Sequence, residues 1–180
     1  MGINIVFTLS GTDRVGIVDE ITRSLLELGG NIETSRMVRL GGEFAVLMLV
    51  TLPTDKGDAL QKTVTDLTSR GYKVTTTPTK QNGSQAHPGW LPYRIEVHGA
   101  DHEGIVHNIA HALAQKGISI ETMDTGNTRA PNSGALLFTM KALVLVPPGL
   151  DEDLWRVELE NTGHDQHVDI IVSIDSKPVS

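Results

Sequence analysis

Residues 11–34 of this 180-residue chain recur at residues 99–122. Gly11-Thr-Asp13-Arg14-Val-Gly16-Ile17-Val18 lies over Gly99-Ala-Asp101-His102-Glu-Gly104-Ile105-Val106, and 11 of the 24 positions are identical. Unrelated segments would share roughly one or two, and a solenoid would need at least three shorter repeats. The chain must therefore be built from one unit of ordinary small-domain size used twice. Whatever a single copy folds into, the protein contains a pair of them.

Each copy carries the same order of elements. Ile3, Ile5, Phe7 and Leu9 alternate with polar neighbours, as do Tyr93, Ile95 and Val97, and a period of two predicts a strand. Val18, Ile21, Leu25 and Leu28 follow at helical spacing after Asp13, a candidate N-cap, and the run stops at Gly29. Val106, Ile109 and Leu113 repeat this before Gly117. Asn31–Leu40 and Glu43–Leu52 predict a hairpin around Gly41-Gly42, and the second copy lengthens that loop by about four residues around Pro131 and Asn132. Leu60, Val64 and Leu67 define a second helix ending at Gly71. Its counterpart begins at the three carboxylates Asp151–Asp153, carries Leu154, Trp155 and Val157, and is expected to stop at Gly163. Tyr72–Thr77 and His167–Ile174 supply the last strands.

The order is βαββαβ twice. Each copy is expected to be an α+β, ferredoxin-like domain: a four-stranded antiparallel sheet with two helices on one face. The domains are placed at 1–77 and 92–180, with 78–91, rich in Pro, Gly, Gln and Ser, as the linker. In the third strand Phe44, Val46, Met48 and Val50 point one way and Ala45, Leu47 and Leu49 the other. Helices cover only one face, so the remaining face, or the sheet edge, is expected to meet the chain's other copy or another chain.

Composition removes several functions. Fifteen Lys and Arg against 22 Asp and Glu give a net charge of −7, which repels a phosphate backbone, so direct nucleic-acid binding is disfavoured. No cysteine means no disulfide, zinc-thiolate site, iron–sulfur cluster or cysteine nucleophile, and a reducing, cytoplasmic location is permitted. The longest apolar run, Phe44–Val50, falls far short of the ~20 residues that span a bilayer, and Met1–Leu9 lacks a basic leader, so no membrane role is expected. An enzyme is not expected either: Gly-x-Ser-x-Gly, a phosphate loop and a post-strand Gly-x-Gly-x-x-Gly are all missing. An RNA-recognition module shares this order of elements but needs stacking aromatics, and here Phe44 and Phe138 stand nearly alone.

Asp-Arg-x-Gly-Ile-Val opening a helix, with Gly-x-Asn-Ile after it, resembles the ACT domain, an amino-acid-sensing regulatory module, although Val15 and Glu103 stand where the family often has proline. Two such units without a catalytic or DNA-binding domain resemble the family's stand-alone transcriptional regulators. The resemblance implies a small amino acid, such as glycine, as the regulatory ligand, lodged where the first strand-to-helix loop faces the second strand of a neighbouring unit. It also implies a homodimer and a DNA-binding activator as partner, with no cofactor. Helix-start amides near Gly16 and Ile17, or Gly104 and Ile105, suit a carboxylate. Asp13 or Asp101 is the candidate for the ammonium side, Arg14 is counted with the first loop's ligand-binding residues, and Asn31-Ile32 or Ser119-Ile120 would close the pocket from the second strand. A plainer account makes Asp13 a cap and Gly16 a packing glycine. On that account the protein is an interaction or assembly module with vestigial ligand sites. The first copy looks better equipped, because Glu103 would repel a carboxylate.

Histidines gather in the second copy. His107 and His111 stand four apart at metal-ligand spacing, with His98 and His102 nearby, but their counterparts Ser10, Arg14, Asp19 and Arg23 are ordinary polar positions, so no metal is assigned. Residues 92–180 hold 6 Lys and Arg against 13 Asp and Glu, so protonating these histidines near pH 6 relieves negative charge and predicts a weak pH response.

Overall fold

The computed structural model describes residues 2–80, 87–130 and 134–175. The chain divides into two compact units, 1–84 and 85–180. Unit 1 runs β1 (Gly2–Thr12), α1 (Ile17–Glu27), β2 (Asn31–Leu40), β3 (Glu43–Pro53), α2 (Gly57–Ser69) and β4 (Lys73–Thr79). Unit 2 repeats the series with β5 (Leu91–Ala100), α3 (Ile105–Gln115), β6 (Ser119–Arg129), β7 (Leu136–Val146), α4 (Glu152–Asp165) and β8 (Val168–Ile174). The sheets are ordered β2-β3-β1-β4 and β6-β7-β5-β8, with antiparallel neighbours throughout. This is the ferredoxin-like arrangement, formed twice.

The alternations do what their period requires. Ile5, Phe7 and Leu9 of β1 and Phe44, Val46, Met48 and Val50 of β3 are all buried, and Ile17, Ile21 and Leu25 of α1 join them in one core. Each such side chain contributes about 1.5–3 kcal/mol by leaving water. Phe44 and Phe138 both belong to these cores, so neither is presented for base stacking. The β2–β3 turn places Gly41 at φ 60° and Gly42 at φ 87°, the left-handed pair that a two-residue hairpin of matching twist demands. In unit 2 the corresponding loop falls partly on residues 131–133, outside the described residues. So does part of the expected linker, 81–86; β4 pairs as far as Pro78 with Ile5 and Thr79 with Asn4, and β5 begins at Leu91.

Three local expectations are corrected. Asp13 is not the N-cap of α1: the chain enters the helix through Gly16 at φ 90°, without a side-chain cap. Gly163 does not end α4, which continues to Asp165; a methyl group there would lie 2.8 Å from Ile170 Cγ1 and 3.0 Å from the Val168 carbonyl oxygen, so this glycine lets the helix sit against β8. Leu154 and Val157 are more than half exposed, and α4 packs instead through Trp155, Leu159 and Gly163. Asp151, by contrast, is a true cap, its Oδ1 accepting the Leu154 amide at 3.1 Å.

The faces away from the helices differ between units. One row across the first sheet reads Arg36, Leu47, Thr8, Thr75; the equivalent row of the second reads Asp124, Lys141, Glu96, Ile171. With Val38, Leu40 and Leu47 each at least half exposed, unit 1 offers an apolar face. The same face of unit 2 mixes Asp124, Lys141 and Glu96 with the exposed Leu137 and Ile171, so it is the more charged of the two without being free of apolar surface.

Candidate functional site

The loop between β1 and α1 is shaped by two glycines. At Gly11 a methyl group would stand 2.6 Å from Tyr72 Cδ1, so β1 passes close under the ring that precedes β4. At Gly16 the left-handed turn excludes ordinary side chains, and nothing lies within 4 Å of where one would begin. Val15 is fully exposed beside it. The result is a helix start open to solvent in front of the buried Ile17.

Polar side chains around that opening are tied to one another. Asp13 Oδ2 accepts from Arg39 Nε at 2.9 Å, and the Asp13 amide donates to the Gly42 carbonyl at 3.0 Å. Arg14 donates through Nε to Tyr72 Oη at 2.8 Å and pairs with Glu20, which also pairs with Arg70. Glu20 first and Tyr72 second hold the Arg14 guanidinium still more firmly in its charged form. The Ile17 amide is not free, since it makes a long turn bond of 3.4 Å to the Arg14 carbonyl. Sequence reasoning named Asp13, Arg14, Gly16 and Ile17; it missed Arg39, Tyr72, Glu20 and Arg70, because each lies on another element or another helical turn.

Unit 2 builds the same loop differently. Gly104 takes φ 94°, but Asn108 Nδ2 lies 3.4 Å from where its side chain would start and Gln166 Oε1 3.9 Å, so this opening is more crowded. The Asp101 amide donates to Leu136 O at 3.1 Å, and Oδ2 accepts from Asn127 Nδ2 at 2.9 Å. His102, at the position of Arg14, has Nδ1 2.9 Å from Glu103 O and Nε2 2.6 Å from Gln166 O. Those carbonyls, Gln166 foremost, raise the His102 pKa above its ordinary value. Ile105 is buried at the start of α3, as Ile17 is in α1.

The second-strand residues do not join these loops within a unit. Asn31 stands opposite Thr51 and Leu40 opposite Glu43, so Asn31-Ile32 lies some eight residues, roughly 27 Å, along β3 from the strand end beside Asp13. Ser119-Ile120, opposite Leu145 and Val144, is displaced in the same way from Asp101–Ile105. Both strand starts carry an irregularity in the same place, with register shifts between Ile32 and Thr34 and between Ile120 and Thr122. A bulge of this kind re-aims the side chains around it. The repeated Ile-Glu-Thr marked the spot in the sequence without revealing the geometry.

The histidine pair of α3 stacks with ring centroids 6.0 Å apart, and among the described residues no group of three or more metal-ligating side chains comes together. Also among the described residues, no helix is long and apolar enough to cross a membrane.

Residues 4–75 match the family model described as the ACT domain. Over 47 residues, 26% of this chain, the sequence is 49% identical to the glycine cleavage system transcriptional repressors of Escherichia coli (strain K12) and Shigella flexneri; the match spans a quarter of the length of these curated relatives. The crystal structure of an unknown protein from Galdieria sulphuraria superposes with a TM-score of 0.85 at 31% identity, over 97% of this chain and 99% of that one. A structure provisionally assigned as a glycine cleavage system transcriptional repressor superposes with a TM-score of 0.71 at 21% identity, covering 98% and 99%, a likeness of fold.

Proposed function

The chain belongs to the ACT-domain family, and from that premise we propose that it is a non-enzymatic regulatory protein that senses a small amino acid, glycine being the first candidate. The observation that carries the reading is the open helix start at Gly16, where main-chain donors and the positive end of the α1 dipole face solvent with no side chain in the way. A ligand carboxylate placed there has Arg14 and Arg39 close at hand, and its ammonium group has the carboxylate of Asp13.

Asn31-Ile32 belongs to the opposite end of the same sheet, so a second-strand start reaches the opening only from a neighbouring unit, and we take that unit from a second copy of the chain. Binding then couples to self-association. A coupling of about 1–3 kcal/mol changes a partner's occupancy five- to 150-fold. The resemblance to the glycine cleavage repressors supports transcription as the output. The concentration of negative charge in residues 92–180 supports an indirect route, through a DNA-binding activator and not through DNA itself.

Titration calorimetry of the full chain against the twenty amino acids tests the sensing step. One saturable ligand, weakened in both Asp13→Asn and Asn31→Ala, is the expected result; silence throughout overturns it. The alternative, an assembly module with vestigial sites, has one observation in its favour: Asp13 is already neutralised by Arg39. That reading predicts an unchanged dimer and no heat with any amino acid.

A further inference from the structure

The two units fasten the same loop with different chemistry. Arg14, in unit 1, carries its charge at any physiological pH and grips Tyr72 Oη at 2.8 Å. His102, in unit 2, directs Nδ1 at Glu103 O, 2.9 Å away, and Nε2 at Gln166 O, 2.6 Å away. Carbonyl oxygens only accept, and a neutral imidazole has a single N–H. With the neutral ring, one of these contacts therefore sets a lone pair against a lone pair. Only the imidazolium satisfies both.

The anchoring point is where the chain leaves a helix. Gln166 is the C-cap of α4, and the next residue, His167, is held at φ 53°, where unit 1 has Gly71 at φ 93°. We propose that in unit 2 the loop between β5 and α3 is closed onto the α4–β8 junction by protonation of His102 and released by its deprotonation, so that the second candidate ligand site responds to protons near neutral pH while the first does not.

The surroundings favour the cation. From its own loop His102 meets Asp101, whose charge stabilises the imidazolium, and Glu103, which supplies its backbone carbonyl. From the α4–β8 junction it meets the uncharged Gln166, with His167 next along the chain. From α3 and β6 the closest loop partners are the neutral Asn108, beside Gly104, and Asn127, which holds Asp101. Desolvation opposes the charge by more than Asp101 favours it but by less than either carbonyl contact, so the two carbonyls decide the direction.

The inference rests on the sensing reading only for its consequence at the ligand site; the loop itself is read without ligand. Two-dimensional NMR of the full chain, titrated from about pH 5.5 to 8.5, follows the His102 ring and the amides of Gly104 and Gln166. We expect one shared midpoint above the ordinary histidine value, with the Arg14 and Gly71 amides stationary. His102→Arg should hold the Gly104 amide near its acid-limit position across the range, and His102→Gln near its alkaline one. A His102 midpoint at or below the ordinary value, amides that do not follow the ring, or a transition that persists in His102→Arg would each overturn the proposal. If the variants fail to fold, the wild-type titration still decides. Since no amino acid is added, failure of the sensing reading leaves this result untouched, and the reverse holds too.

Discussion

Gly163 and His167 stand four residues apart at the end of α4 and make opposite demands on their side chains. Gly163→Ala gains about 1 kcal/mol of helix propensity, but the new methyl group meets Ile170 and the Val168 carbonyl oxygen within 3.0 Å. Overpacking against backbone costs about 1–3 kcal/mol, so the net effect should be destabilising, read as a lower urea midpoint. His167→Gly relieves a left-handed non-glycine residue, and we expect a gain of about 1 kcal/mol in the same measurement. Tyr93 is a third point of leverage. It is buried, its hydroxyl donates to Glu152 Oε2 at 2.8 Å, and burial first and that bond second push its pKa up. Tyr93→Phe should cost about 1–2 kcal/mol, and a stability equal to wild type would show that the bond contributes nothing.

At the scale of elements, the loops entering α1 and α3 set the behaviour of the units. A residue forced to φ near 90° costs about 1–2 kcal/mol if it is not glycine, so Gly16→Ala should lower stability by that amount with no ligand present. Binding lost in this variant has to be judged against that loss. Protons act on the second loop only. The folded-state pKa of His102 is raised, so its stabilising contribution is complete below the unfolded value of about 6.5 and fades as pH rises through the folded one. Urea melts of the full chain at pH 6 and pH 8 should show the transition of unit 2 moving to lower denaturant at the higher pH and that of unit 1 holding still. Equal midpoints at both pH values would contradict the clamp.

The elements themselves were legible because strand alternation and helical spacing are local signals, and the repeat checked each one twice. Asp13 was misjudged as a cap since composition cannot show that the chain turns left-handed three residues later, and Gly163 looked like a stop because a packing glycine and a terminating one are the same letter. The partners of Arg14 and His102 lie 58 and 64 residues away, across β4 and α4. Such pairings are set by tertiary packing, which leaves no periodic trace along the chain.

For the molecule as a whole, the contrast between the sheet faces is the feature with the widest reach. Leu47→Lys in unit 1 should weaken self-association in sedimentation experiments, whereas Ile171→Lys, at the matching face of unit 2, should leave it unchanged, although both side chains are at least half exposed. The net charge of residues 92–180 is −7, and residues 1–91 balance at zero, so repulsion between second units is screened by salt while the first units remain indifferent to it. Gene duplication by itself would have left two sticky surfaces on every chain, and a chain with two such surfaces can recruit a neighbour at each and grow without limit. With the second face more charged, we expect the apolar side of unit 1 to pair with its own copy by a twofold rotation, which would use that side up on both partners and stop growth at the pair.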